Sequence, residues 1–314
     1  MAISNTASVE GVIRRSLTGK RRDVRGRVFE AGLIIALLLS MMFLGVLLTE
    51  VFTGSLPVWR ERTLLNFLTS QLSANPEVAG IRQALAGSAI LMVFTAVIAF
   101  PLGVSAAVYL EEYARDNRFS RIVNANIRNL AGVPSIVYGL LGLALFVKLL
   151  KFLTGPEVEG RSVISGGLTL GLLVLPIVII TTSEAIRAVP GSIREGALGV
   201  GATKWQTIRH HVLPVAAPGI LTGTILSLGR AFGEAAPLLL VGGITTFFQS
   251  GDATLLEQLR GRFSALPVLV FSWARLPQDG FRALTAALIV IMLLLLLLIN
   301  AAAIVLRNRF EREL

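Results

Sequence analysis

The sequence contains no cysteine, and its two histidines, His210 and His211, stand side by side. The first absence excludes disulfides and thiolate metal sites. The second leaves too few imidazoles for a histidine-based metal centre. Charge is scarce as well: 15% of the 314 residues are Asp, Glu, Lys or Arg, against 54% hydrophobic. A water-soluble chain of this length needs more polar surface. Internal repeats and low-complexity linkers are also missing, which argues for one domain.

What is present is apolar residues in long runs, with a mean hydropathy of +0.74. A hydrocarbon core needs about 20 residues to cross. Runs of that order lie near 31–52, 84–109, 130–150, 164–183, 214–241 and 284–306. The first begins too far along and is too long for a cleavable signal. The expectation is an all-α integral membrane protein with six transmembrane helices. Its transmembrane domain covers 31–306, between a basic tail at 1–30 and a short tail at 307–314.

The net charge of +10 falls mainly in loops between these runs. It reads as topology signals beside anionic lipid rather than as a nucleic-acid surface. With both termini inside, 18 Lys and Arg fall on the inner side and 10 on the outer. That asymmetry favours cytoplasmic termini. On the outer side, "TLLNFLTSQL" (63–72) and "ATLLEQLRGRF" (253–263) carry a helical period.

The inner loop 184–213 is the most informative segment. Within "SIREGALGVGATKWQTIRHHVLP" (192–214), Ser192 and Glu195 have capping-box spacing. Gly199 and Gly201 permit a turn, Thr203 can cap a second short helix, and Pro214 opens the next span. Gly196 and Gly201 have Walker spacing, but Ala202 and Thr203 follow where Lys and Ser/Thr are required. The chain is therefore not expected to bind ATP.

The fifth run holds an apparent contradiction, Arg230 and Glu234 in an apolar stretch. Read as one helix, Gly219, Gly223, Ser227, Ala231 and Ala235 form a small-residue packing stripe. Arg230 and Glu234 form part of a flanking line with Thr222 and Leu226. An Arg within the membrane costs about 2.5–3.5 kcal/mol on the lenient scale, so its face must meet protein or a wet cavity. The pair is either part of a pathway or a permanent ion pair that sets packing. Pro101, Pro134, Pro176 and Pro237 interrupt or kink their runs. Glu111 and Glu112 are expected to face water near Arg115.

Glu195, Gly196, Ala197, Gly201, Leu213 and Pro214 resemble the EAA loop of ABC importer permeases. The departures are Gly196 where the pattern has Ala, and His211 where it has Ile. Longer stretches resemble the PstA-type permeases of phosphate-specific ABC importers: "YLEEYA" (109–114), "NLAGVPSIVYGLLGLALFV" (129–147), "GGLTLGLLVLPIVIITTSEAIRAVP" (166–190) and 201–240.

The resemblance implies type I importer architecture, with the loop as the coupling helix that docks on an ATPase. It implies a homologous (PstC-like) permease, an ATPase (PstB-like) dimer using ATP and Mg, and a phosphate-binding (PstS-like) protein as partners. It implies a bacterial cytoplasmic-membrane location, no bond chemistry in this chain and no cofactor bound by it. Arg230, Glu234 and Arg187 become candidates for the substrate pathway. An Arg fork can bond two oxygens of phosphate and stays charged. Glu234 would hold Arg230 until phosphate arrives. The loop alone fits sulfate, molybdate or phosphonate permeases equally; only the longer likeness favours phosphate. An ion-coupled carrier would call for inverted repeats and more buried carboxylates.

Overall fold

The computed structural model describes residues 24–154, 158–243 and 255–312. Among these residues every regular element is helical. The helices are α1 (Val24–Glu61), α2 (Leu64–Thr69), α3 (Arg82–Val108), α4 (Arg118–Ala131), α5 (Ser135–Gly142), α6 (Val163–Arg187), α7 (Gly191–Gly199), α8 (Lys204–Thr207), α9 (Leu213–Phe232), α10 (Ala236–Leu240), α11 (Leu255–Arg260), α12 (Leu266–Trp273) and α13 (Asp279–Arg312), with a single helical turn, Lys151–Thr154, between α5 and α6. π-helical turns extend α3 over Tyr109–Tyr113 and α5 over Leu143–Val147, and a third, Ile208–Val212, joins α8 to α9. Among the described residues five helices are long and apolar enough to cross a membrane, and a bent pair makes up to six.

Two compact units divide at Glu50, inside α1. In the first unit the apolar side chains of α1, such as Leu33, Leu37, Phe43 and Leu47, are exposed. The basic tail expected at 1–30 lies outside the described residues up to 23, and from Val24 the chain is already helical.

The second unit is built around α6. Helices α3 and α9 pack on it, and α13 packs on α9. Small residues make the approach close. A Cβ on Gly167 would lie 2.3 Å from Phe94 Cδ1, and one on Gly103 would lie 2.5 Å from Val178 Cγ1. In lipid, such backbone proximity replaces the hydrophobic drive that water would supply. Four hydroxyls on the spans bond back to carbonyls one turn earlier: Thr169 to Ser165, Thr181 to Ile177, Thr224 to Ile220 and Ser227 to Gly223. No water is needed to satisfy them.

The ends of the unit differ. One carries an aromatic cluster in which Trp59, Phe67, Trp273 and Phe281 meet at centroid distances of 5.7–6.5 Å. Thr63 caps α2 there, within the segment 63–72 expected to be helical. Of 253–263, the described helix is Leu255–Arg260. The other end gathers Ala107 of α3 with Ile186, Ile208 and Val212 of the segment 184–213.

Two expected spans are corrected. The third, expected near 130–150, is a pair of helices, Arg118–Ala131 and Ser135–Val147, meeting at 101°. Pro134 lacks an N–H and disfavours helix at Val133, so the chain turns at 132–134. The fifth, expected near 214–241, breaks at 233–235 between α9 and α10. In a continuous helix the Pro237 ring would clash with the Gly233 carbonyl. The two short helices beyond these breaks pack together: a Cβ on Gly139 would lie 2.7 Å from Pro237 Cα.

Other boundaries move outward because helices continue past their apolar cores. Span one runs to Glu61, span two to Tyr113 and span four to Arg187, and the C-terminal segment 307–312 continues α13.

Candidate functional site: an ion pair at a helix break and a braced loop

Gly219 and Gly223 form the seam between α9 and α6. Their Cβ positions would lie 2.9 Å from Ala185 Cβ and 2.5 Å from Thr181 Cβ. Ser227 and Ala231 are buried farther along the same face. Ala235 is not on that stripe, because α9 ends at Phe232.

Arg230 occupies the last turn of α9, where the helix C-terminus favours a cation. Its Nε lies 3.9 Å from Glu234 Oε1, with the two side chains 60% and 21% exposed. Glu234 belongs to the link after the helix, its N–H bonded to the Ala231 carbonyl. The pair therefore spans a helix end rather than sharing a helical face. Leu226 is exposed on α9 one turn before Arg230.

Arg187 is not brought to this pair. Gly219 faces Ala185 and Gly223 faces Thr181, so Arg230 is level with position 174 of α6. Arg187 is then about 20 Å away along the helix. It holds Glu111 with a two-point fork, Nε to Oε2 and Nη2 to Oε1, each 2.7 Å. It also lines a small cleft with Asn124, Arg128, Ser183 and Glu184. The Ser183 hydroxyl is buried there without a hydrogen-bond partner.

The loop folds as two short helices around one turn. α7 follows Pro190, whose ψ of 138° starts the helix at Gly191. Ser192 therefore falls inside the first turn, and the expected Ser192–Glu195 capping box does not form. The end of α7 is a Schellman motif. The Ala202 N–H bonds Ala197 O at 3.1 Å, and the Gly201 N–H bonds Leu198 O at 3.0 Å. Gly201 sits at φ +89°, which a side chain would resist. Thr203 and Gln206 then form a complete capping box for α8.

Pro214 cannot donate to the His210 carbonyl, and the turn before it widens: the Leu213 N–H bonds Ile208 O. Ala197 is buried, whereas Glu195, Gly196, Leu198, Val200 and Trp205 face outward. Val200 is 87% exposed, so the loop ends in an apolar ridge with one acid beside it.

Glu111 and Glu112 do not face water, which corrects the expectation for them. Their side chains are 11% and 9% exposed, each held by an arginine. Glu112 Oε1 accepts from Arg194 Nε at 3.0 Å and Nη2 at 2.8 Å. Glu111, Glu112, Arg194, Asn124, Arg128 and Ser183 escaped the sequence reading as members of this site. Within "REGA" the family resemblance marks the glutamate, and nothing local marks Arg194.

A family described as "Binding-protein-dependent transport system inner membrane component" matches residues 99–312. The chain belongs to this family. It is thus a membrane transport subunit. The "Phosphate transport system permease protein PstA 1" of Mycobacterium tuberculosis is 32% identical over 95% of this chain and 93% of its own length. The "Probable ABC transporter permease protein YqgI" of Bacillus subtilis is 39% identical over 57% of this chain and 59% of its own length. A bacterial alginate ABC transporter solved with its periplasmic protein superposes at a TM-score of 0.57 and 15% identity, over 89% of this chain and 93% of that one. At that identity the likeness concerns the fold, which is that of a type I ABC importer permease.

Proposed function

We propose that this chain is the transmembrane permease subunit of an ATP-driven importer of inorganic phosphate. The observation that carries this reading is the nearly full-length likeness to a phosphate transport permease. A homologous permease supplies the other half of the pathway. An ATPase dimer uses ATP and Mg and engages the loop 184–213, and a phosphate-binding protein delivers the anion at the opposite face. The loop and both termini lie on the cytoplasmic side of the cell membrane.

The outward ridge of Leu198, Val200 and Trp205 supports docking by the loop. Glu195, Gly196, Ala197, Gly201, Leu213 and Pro214 shape that contact. Closure of the ATPase dimer displaces the loop, and the pathway between the permeases changes the face to which it opens. The exposure of Arg230 supports a role facing the partner permease across the pathway. Its fork takes two phosphate oxygens, and Glu234 is exchanged for them. Arg187 serves the cytoplasmic exit, in the cleft with Arg128 and Ser183.

The test is uptake of labelled phosphate by the full complex in vesicles, with wild type, Arg230→Lys and Arg230→Ala compared and sulfate as competitor. Loss of uptake in both variants, with the complex assembled and sulfate without effect, is the expected result. Normal uptake in Arg230→Ala would make the pair a structural bolt. Strong competition by sulfate would make the substrate a different oxyanion.

A further inference from the structure

Residues 111, 112 and 113 end α3, and each holds a different element around the coupling loop. Glu111 grips Arg187 at the end of α6. Glu112 grips Arg194 in α7. Tyr113 lies under Lys204 of α8, whose Nζ is 5.0 Å from the ring centroid. These are the helix that leads into the loop and the two short helices that form it.

Two features make this more than a surface coincidence. The first is the π-helical turn Tyr109–Tyr113, closed by the Ala114 N–H on Tyr109 O at 2.8 Å. A π turn inserts a residue and re-aims the side chains around it.

The second feature is Arg194. Besides Glu112, it donates to Val189 O at 2.8 Å and to Ile186 O at 2.9 Å. The Ile186 carbonyl belongs to the last turn of α6, where helical partners run out, and it also accepts from the Val189 N–H at 3.3 Å. One guanidinium thus joins α3, α6 and α7 at a site where Glu112 is almost wholly buried.

We propose that residues 111–113 are positioning residues for coupling: they make the end of α3 and the coupling loop move as one body. Displacement of the loop by an ATPase is then delivered to α3 directly, in addition to its chain neighbours α6 and α9. The proposal rests on the transport reading above.

The experiment uses the assembled transporter in vesicles, with wild type, Glu112→Gln and the double variant Glu111→Gln/Glu112→Gln. Phosphate taken up per ATP hydrolysed is the first readout. It is expected to fall about tenfold in the double variant, within the usual range for coupling between sites, while the complex assembles and hydrolyses ATP. A purely structural role would reduce both activities together and leave the ratio unchanged, and that result would overturn the proposal.

The second readout does not depend on the substrate. Spin labels at Tyr109→Cys and Ser192→Cys, in a chain with no other cysteine, report the distance between α3 and α7. That distance is expected to hold through ATP binding with the glutamates present and to shift or broaden in the double variant. A distance that changes equally with and without them would overturn the proposal. If wild type imports no phosphate, the functional reading fails by itself, and the label distances still decide this one. Should the double variant not assemble, both readouts are taken on Glu112→Gln.

Discussion

Gly223 faces Thr181 so closely that a Cβ on the glycine would lie 2.5 Å from the threonine Cβ. The α6–α9 seam therefore has no room for a methyl group. Gly223→Ala is expected to destabilise the subunit by about 1–3 kcal/mol through overpacking. Thermal unfolding in detergent measures this. Gly223→Ala combined with Thr181→Gly should recover most of the loss. A double variant no better than the single one would place the strain elsewhere.

Gly201 and Gly196 lie in the same loop and should respond in opposite directions. Ala at Gly201 must adopt φ +89°, at a cost of about 1–2 kcal/mol. Ala at Gly196, inside α7 with no atom near its Cβ position, should stabilise that helix by about 0.5–1 kcal/mol. Hydrogen exchange of the α7 amides reads both: faster for Gly201→Ala, slower for Gly196→Ala. Slower exchange in both would show that the Schellman turn does not hold the helix end.

The capping box of α8 gives a third test. Thr203→Ala removes the acceptor for the Gln206 N–H and should cost about 1 kcal/mol locally. Thr203→Ser should behave as wild type. Faster exchange at Gln206 in the alanine variant alone is the expected pattern, and equal exchange in all three would remove the cap from the account.

The Arg230–Glu234 pair makes a kinetic prediction. If Glu234 restrains Arg230 at rest and yields it to phosphate, Glu234→Gln leaves Arg230 free of its carboxylate. Leakage of phosphate through the resting complex should then rise, and uptake per ATP should fall. Unchanged leakage and uptake would make Glu234 a fixed partner that phosphate never displaces.

Much of this architecture was legible because its causes are local. Apolar runs mark spans through composition alone, and Gly201 and Thr203 announce a turn and a cap through their own backbone preferences. Pro134 and Pro237 signalled interruptions, but not their size. Residues 118–131 alternate Phe119, Ile122, Val123, Ile127 and Leu130 with Arg118, Arg121, Asn124 and Arg128, a two-faced pattern that could have separated α4 from the third span. The partners of Glu111 and Glu112 were beyond reach. They lie 76 and 82 residues away, and no sequence period links positions that only tertiary packing brings together. Arg230 and Glu234 showed the limit of spacing from another side: four residues apart suggested a shared helical face, yet the helix stops between them.

The break at 233–235 also says where lipid cannot be. The helix end closes only in part, through the Gly233 N–H on Arg230 O and the Glu234 N–H on Ala231 O; Pro237 has no N–H for the Gly233 carbonyl, and hydrocarbon offers such a group nothing. That sector of the subunit, with the Gly139–Pro237 contact beside it, must be walled by protein or wetted by water. A lipid boundary drawn around this permease therefore has a gap that the backbone alone defines.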